Sequence, residues 1–365
     1  MIERGIRRRT SVLALLAFSG AGAGYSGQAI IDSMLAPAAK ENRRNTEGDI
    51  VVRKDGTFLA AWSDFYGGSR DDSAARISAA TSSDGGKTWS QRFTLQPNIG
   101  KQNVMSASFL RLRSGDILFF FAVKNSPEDL YMMVRRSSDD GKTWSEPARV
   151  VRERGYYGMN NDRAVQLASG RIICPVYFTE KVWTKTEGFR TVSYYSDDDG
   201  RTWKRGRTVL ECPQRGAMEP GLLELRDGRL LQIIRTQMGM IWHALSNDGG
   251  DTWTSPEPWT MAAPEAPSTL VRLPKTGELL LIYNPTVKLG TGHSGPRTPL
   301  AAAISKDEGR TWSLPKAIEE DPAATYAYTS VTFHQERALL TYYYAKDGLL
   351  SLKFKSIPVD WFRAD

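Results

Sequence analysis

Histidine and cysteine are scarce in this chain of 365 residues, which has only His243, His293 and His334 of the first and Cys174 and Cys212 of the second. With so few histidines, and neither an HExxH nor a GxSxG motif, a His-rich metal centre and a nucleophile-elbow hydrolase are both disfavoured. Two cysteines cannot build a disulfide scaffold or a four-thiolate zinc site. One bridge across neighbouring strands is the most they allow, and connectivity cannot be read from sequence. No metal or cofactor is expected. No later segment is apolar over the ~18 residues that a spanning helix needs, and no basic run is interleaved with aromatics. Neither a membrane span nor a nucleic-acid partner is expected.

The first residues have an export pattern. Arg7, Arg8 and Arg9 precede an apolar run from Val12 to Phe18, and Ala21-Gly22-Ala23 offers small residues for cleavage. Residues 1–23 read as a signal peptide, loosely of twin-arginine type, and 24–42 as an N-terminal segment. The expectation is a protein exported to the periplasm or beyond. Removing Glu3, Arg4, Arg7, Arg8 and Arg9 lowers the formal charge from +7 to +4, unremarkable for a mature domain that is expected to be a monomer.

What the chain has in abundance is glycine, 32 residues, and ten tryptophans. They belong to a repeat. The pattern Ser-x-Asp-x-Gly-x-Thr-Trp occurs five times, its aspartates at 84, 139, 198, 248 and 307, so that successive copies lie 55, 59, 50 and 59 residues apart. Asp and Ser side chains bond nearby backbone N–H groups, Gly supplies a left-handed backbone, and Trp brings a large apolar ring. The box is therefore a hairpin turn with a structural role. Between boxes lies a second turn ending in Gly: Asp55-Gly56, Ser114-Gly115, Ser169-Gly170, Asp227-Gly228 and Thr276-Gly277. Each is flanked by short apolar strands. A unit thus reads strand, turn, strand, loop, strand, box, strand, which is one four-stranded propeller blade. A sixth unit follows without a box, with three strands near Tyr328–Phe333, Ala338–Tyr344 and Leu349–Lys355. A segment near Gln28–Asp32 can supply its fourth. The expected fold is all-β: a six-bladed β-propeller of four-stranded antiparallel blades over residues 43–362.

In such a ring the first strand of each unit faces the axis. Aligning the units by their turns places Thr46-Glu47-Gly48-Asp49, Asn103–Ser106, Asn160-Asn161-Asp162-Arg163, Met218-Glu219-Pro220-Gly221, Glu265–Ser268 and Tyr328-Thr329-Ser330 at the strand mouths. Polar groups converging on one cavity make a default site.

Five Asp-boxes and these mouth residues resemble the sialidase (neuraminidase) family with its bacterial neuraminidase repeats, from about Arg43 to Phe362. The family has a Glu opening the inner strand of the fourth unit and an Arg ending the next, matched here by Glu219 and Arg235. Its last Arg, just before a box strand, is matched by Arg297. Its Tyr in the sixth unit is matched by Tyr328, with Tyr326 a neighbour, and its acid/base Asp by Asp72, with Asp71 beside it. The resemblance implies an exo-glycosidase acting on a glycan that ends in an acidic sugar. Tyr328 and Glu219 would form the nucleophile and Asp72 the general acid and base, while Arg235 and Arg297 would grip the substrate carboxylate. Unit one departs from the family. Where the family has Arg-Ile-Pro, this chain has Thr46-Glu47-Gly48. Either Arg43 or Arg44 reaches in from upstream, or Glu47 takes the arginine's place and serves another ligand.

Structural roles compete at every position, because ion-pair networks mimic sites. Arg235 and Arg297 could tie units together, Asp72 could sit in a solvated turn, and Glu47 and Asp49 could pair with Arg43 or Arg44. Glu47, Asp49, Asn161, Asp162 and Arg163 are taken as ligand contacts. A different acidic-sugar hydrolase or lyase, and a glycan-binding propeller without catalysis, are the alternatives to a sialidase, since function resides in the site and not in the fold.

Overall fold

The structure is a computed structural model that describes residues 28–184, 187–287 and 296–364. The expected signal peptide lies outside the described residues. Strands dominate, with one short 3-10 turn at Val359–Phe362. The first box-bearing sheet runs Arg44–Val52, Phe58–Phe65, Arg76–Ser82 and Phe93–Gln96, each antiparallel to the next. The fourth unit repeats it with Met218–Glu224, Leu230–Arg235, Met240–Ser246 and Glu257–Ala262. The fifth does so with Thr269–Arg272, Leu279–Tyr283, Leu300–Ser305 and Lys316–Glu319. In the third unit the inner strand is broken into Tyr156–Gly158 and Val165–Gln166, with the Asn160–Arg163 stretch between them. The last sheet joins Thr325–His334, Arg337–Lys346 and Leu349–Pro358. Its outer strand comes from the N-terminus: Ile31–Ala36 pairs with Leu349–Pro358. Residues 31–36 are therefore part of the last sheet, and this strand starts slightly later than the sequence reading places it. Cys174 and Cys212 are both free thiols.

The boxes form as their chemistry dictates. In the first, Ser82 Oγ accepts from Gly86 N at 2.9 Å, and Asp84 accepts from Thr88 N at 3.0 Å and Thr88 Oγ1 at 2.6 Å. The same bonds recur at Asp139, Asp198, Asp248 and Asp307. The box glycine does a second job, because it lies against the preceding unit. A Cβ on Gly86 would fall 2.1 Å from the Phe354 ring of the last sheet. Those on Gly141, Gly200 and Gly250 would approach Leu59, Leu118 and Ile173, each one unit back. The repeated glycine thus permits both a left-handed turn and close packing at every seam.

The inner strands share a bulge. Register slips between Thr46 and Asp49, Met105 and Ser108, Met218 and Gly221, and Ala327 and Ser330. At or next to each slip one non-glycine residue adopts a left-handed backbone: Glu47 (φ 53°), Ser106 (62°), Glu219 (42°) and Tyr328 (59°), with Asp162 (53°) at the mouth of the third unit. Such residues cost of order 1–3 kcal/mol each and persist only where their surroundings hold them.

Bulges leave inner-strand backbone groups without ladder partners, and buried N–H and C=O groups must find others. Asp49, Asn161, Asp162 and Arg163 serve that need, which changes their reading from ligand contacts to a central staple. Asp49 accepts from Ile50 N and Phe109 N, each at 2.7 Å. Asn161 Nδ2 donates to Gly48 O and Tyr328 O, each at 2.8 Å. Asp162 accepts from Val331 N at 2.7 Å. Arg163 donates to Ser268 O at 3.1 Å and Thr269 Oγ1 at 3.3 Å. The third unit therefore binds the first, fifth and last across the axis.

Two predictions follow from the seams and the staple. Gly86→Ala forces a Cβ into Phe354 from a left-handed backbone and should cost about 2–4 kcal/mol, whereas Gly170→Ala, left-handed but facing open space, should cost about 1 kcal/mol; denaturant melts of the two variants distinguish them. The second concerns Asp162. Burial pushes its carboxyl from the ordinary 3.8 up to about 6, although Val331 N–H and Arg163 oppose the shift; Asp49 is raised by burial and by Asp162. Because the unfolded chain ionises first, the contribution of Asp162 to stability should fall as pH rises from about 4 to about 6 and then level off. Asp162→Asn keeps an acceptor for Val331 N–H and should flatten that fall. Parallel melting-temperature curves for the variant and the parent would reject this.

Candidate active site

The bulges on the fourth and last units bring two side chains face to face. Tyr328 Oη donates to Glu219 Oε1 at 2.8 Å. Arg235, at the end of the neighbouring strand, donates to the other oxygen of Glu219 and lies 3.4 Å from Tyr328 Oη. Burial pushes the Tyr328 hydroxyl well above the ordinary tyrosine range, and the Glu219 carboxylate adds to that push. For Glu219 burial acts upward, but Arg235 and the Tyr328 hydroxyl outweigh it and leave the carboxyl below its ordinary value. An ionised carboxylate thus accepts from a neutral phenol, the starting state for a phenol that is to lose its proton. Tyr326, two residues earlier, packs instead against Tyr342 and Tyr344 in the core.

Arg297 joins the same group. Its guanidinium lies 5.9 Å from the centre of the Tyr328 ring, donates to Tyr343 Oη at 2.8 Å and holds the Glu265 carbonyl at 3.0 Å. Glu265, at the mouth of the fifth unit, is a residue the sequence reading aligned but did not select. Its carboxylate lies 3.7 Å from Arg235 and 2.5 Å from Arg215, which reaches on to Glu187. Arg215 lies in the loop before the fourth inner strand, where no repeat pattern marks it.

Unit one supplies the opposite side. Arg44, not Arg43, turns toward the site: Arg43 donates to Gly348 O at 3.4 Å on the exterior. Arg44 stacks on Phe65 with its guanidinium 4.1 Å from the ring centre, and it is divided between Asp71 at 2.5 Å and Glu47 at 3.2 Å. Glu47 also accepts from Ser63 Oγ at 3.0 Å and Ser106 Oγ at 3.2 Å. Burial raises the Glu47 carboxyl, with Arg44 opposing. The two aspartates of the loop part company. Asp72 is held in a paired contact with Arg70 at 3.0 and 3.2 Å, which keeps it below its ordinary value, and its side chain is the less exposed of the two, 31% against 52% for Asp71. Asp71 faces Arg44, and its carbonyl accepts from Asn103 Nδ2 at 2.8 Å and Lys124 Nζ at 3.1 Å. Lys124 is wholly buried, and burial brings its ammonium down to about 8.

Comparison with other proteins fits this geometry. Residues 56–340 match the BNR repeat-like domain family. A sialidase of Micromonospora viridifaciens is 25% identical over 320 residues, which is 78% of this chain and 47% of that protein. The chain spans between 37% and 60% of the length of the curated relatives it matches. Among solved structures, a protein of unknown function from Dyadobacter fermentans superposes with a TM-score of 0.74 at 19% identity, covering 90% of this chain and 99% of that one. Trypanosoma rangeli sialidase in complex with the inhibitor DANA gives 0.69 at 17% identity, covering 89% and 57%. These likenesses at low identity share the all-β propeller fold. With its family match spanning most of its length and its Tyr328–Glu219–Arg235 cluster at the mouth of the inner strands, the chain belongs to the sialidase/BNR-repeat propeller family.

Proposed function

We propose that this protein is an exo-glycosidase of sialidase type, built as a closed six-bladed propeller, that releases a terminal acidic sugar from a glycan. The observation that carries the reading is the buried Tyr328–Glu219 bond at 2.8 Å beside Arg235 and Arg297. A carboxylate nucleophile is repelled by a sugar that bears a carboxylate at its anomeric carbon, and a neutral phenol is not. In the proposed first step Glu219 takes the Tyr328 proton as Tyr328 Oη bonds to the anomeric carbon. The bond to the leaving oxygen breaks, and an aspartic acid of the 71–72 loop gives that oxygen a proton. Water then reverses these steps: its oxygen bonds to the anomeric carbon as the aspartate takes its proton, the sugar–Tyr328 bond breaks, and the phenolate recovers a proton from Glu219.

The placement of the loop favours Asp71 over Asp72 for this role. Asp71 lies against Arg44 at the site, whereas Asp72 is engaged by Arg70. A non-catalytic glycan-binding role gains no particular support, since binding alone has no need of a buried phenol on an ionised carboxylate.

The expected outcome for a fluorogenic sialoside is turnover by the purified protein. Tyr328→Phe and Glu219→Gln should each lower kcat by about 10²-fold or more, and Asp71→Asn by about 10²–10⁴-fold, with Asp72→Asn affecting it far less. Steady-state kinetics across about pH 4 to 8 provide the check. Full activity in Tyr328→Phe, or equal losses in the two aspartate variants, would contradict these assignments.

A further inference from the structure

Glu47 is a mouth residue of unit one whose side chain belongs to the candidate site and has no part in the proposed reaction. It holds the same structural position as Glu219 and Tyr328. All three sit at the register slip of an inner strand, all three have a left-handed backbone, and all three are buried or nearly so at the strand mouth. The other two meet each other; Glu47 faces them from unit one. Its carboxyl is fixed by three donors from three different segments: Arg44 on its own strand, Ser63 on the next strand and Ser106 on the bulge of unit two. Ser63 in turn accepts from Ser106 N at 2.8 Å, so the cradle is itself braced.

Its charge has consequences for the ligand. Arg44, the cation nearest to it, is already shared with Asp71. The unit-one side of the site therefore presents two carboxyl groups around one guanidinium. At the other side Arg235 and Arg297 flank Tyr328. A ligand carboxylate placed toward unit one meets the Glu47 carboxyl, with Arg44 already shared and the Lys124 ammonium held on the Asp71 carbonyl, and one placed toward Arg297 does not.

We propose that Glu47 is a specificity-determining residue: when ionised it disfavours a carboxylate on the unit-one side of the bound sugar and accepts a hydroxyl group there, and when protonated it tolerates the carboxylate. This rests on the glycosidase reading for the identity of the ligand as a sugar. The groups whose charge acts on Glu47 or responds to it are Arg44, Asp71, Lys124, Tyr156, Tyr177, Glu219 and Tyr328. Burial, the largest influence, raises the Glu47 carboxyl, with Arg44 opposing.

The test uses direct binding, so that it does not require turnover. DANA, a sugar-acid analogue, and its uncharged methyl ester are titrated calorimetrically into the full chain, Glu47→Gln and Glu47→Arg at about pH 5 and about pH 7.5, the lower of which favours the protonated carboxyl more. At the higher pH, Glu47→Arg should bind DANA at least about tenfold more tightly than the parent, Glu47→Gln should fall between them, and the ester should bind all three alike. The gap between the parent and Glu47→Gln should narrow at the lower pH. Melting curves establish that each variant is folded; if Glu47→Arg is not, Glu47→Gln against the parent decides the outcome. DANA affinities within about twofold of the parent in the folded variants at both pH values would overturn the proposal, as would an equal gain for the ester. Sialoside turnover is measured in parallel. Tighter DANA binding in Glu47→Arg without turnover by any form would uphold the role of Glu47 and sink the sialidase reading alone.

Discussion

A left-handed residue at a slip in an inner strand is the constraint from which this site is made. A regular strand alternates its side chains and keeps the backbone ladder closed, so it offers no way to throw a large polar group along the axis. The slip breaks the alternation, and the left-handed residue redirects one side chain toward the neighbouring strands' mouths. Glu219 and Tyr328 come from strands 109 residues apart in sequence, yet meet at 2.8 Å because both use this device. Glu47 uses it too, and Ser106 uses it to brace Glu47.

The device leaves buried backbone groups without partners, and the axial staple answers that need. Asn161, Asp162 and Arg163 spend their polar atoms on carbonyls, amides and hydroxyls of other units, as Asp49 does for unit two. Strain at the mouth and satisfaction behind it are two sides of one arrangement. The Asp-boxes act at a different place and for a different reason. Each closes its own hairpin by side-chain bonds, and its glycine lets the turn lie flat on the unit before it. The box of unit one rests on Phe354 of the last sheet, so the repeat also closes the chain's two ends on each other, with Ile31–Ala36 as the outermost strand of that last sheet.

Charge in the site is arranged in alternation. Arg44 lies between Asp71 and Glu47, Arg235 between Glu219 and Glu265, and Arg215 between Glu265 and Glu187. Buried charges are tolerable when paired in this way, whereas removing one partner strands the other in a poorly solvated place. The alternation also fixes geometry: Glu219 stays ionised because Arg235 offsets its burial, and so it can accept the Tyr328 proton.

The repeat was legible from the residues alone, because the box is a local device: Ser, Asp, Gly, Thr and Trp at fixed offsets make their bonds within one turn, whatever surrounds them. The same local logic located the strands and the inner-strand mouths, and with them Glu219 and Tyr328, while Arg235 and Arg297 were picked out by the resemblance to the sialidase family. Which of several adjacent polar residues faces the site could not be read that way. Asp71 and Asp72, Arg43 and Arg44, Tyr326 and Tyr328 are chemically alike within each pair. Asn161 and Asp162 look as much like ligand contacts as like a staple. Those choices depend on partners tens or hundreds of residues away — Arg44 for Asp71, Gly348 for Arg43, Glu219 for Tyr328. The amino-acid sequence by itself determined the repeated strand-and-turn unit, since that rests on short-range hydrogen bonds and backbone preference. Only the tertiary structure decided which side chains share the cavity, since that rests on how the ring brings distant bulges together.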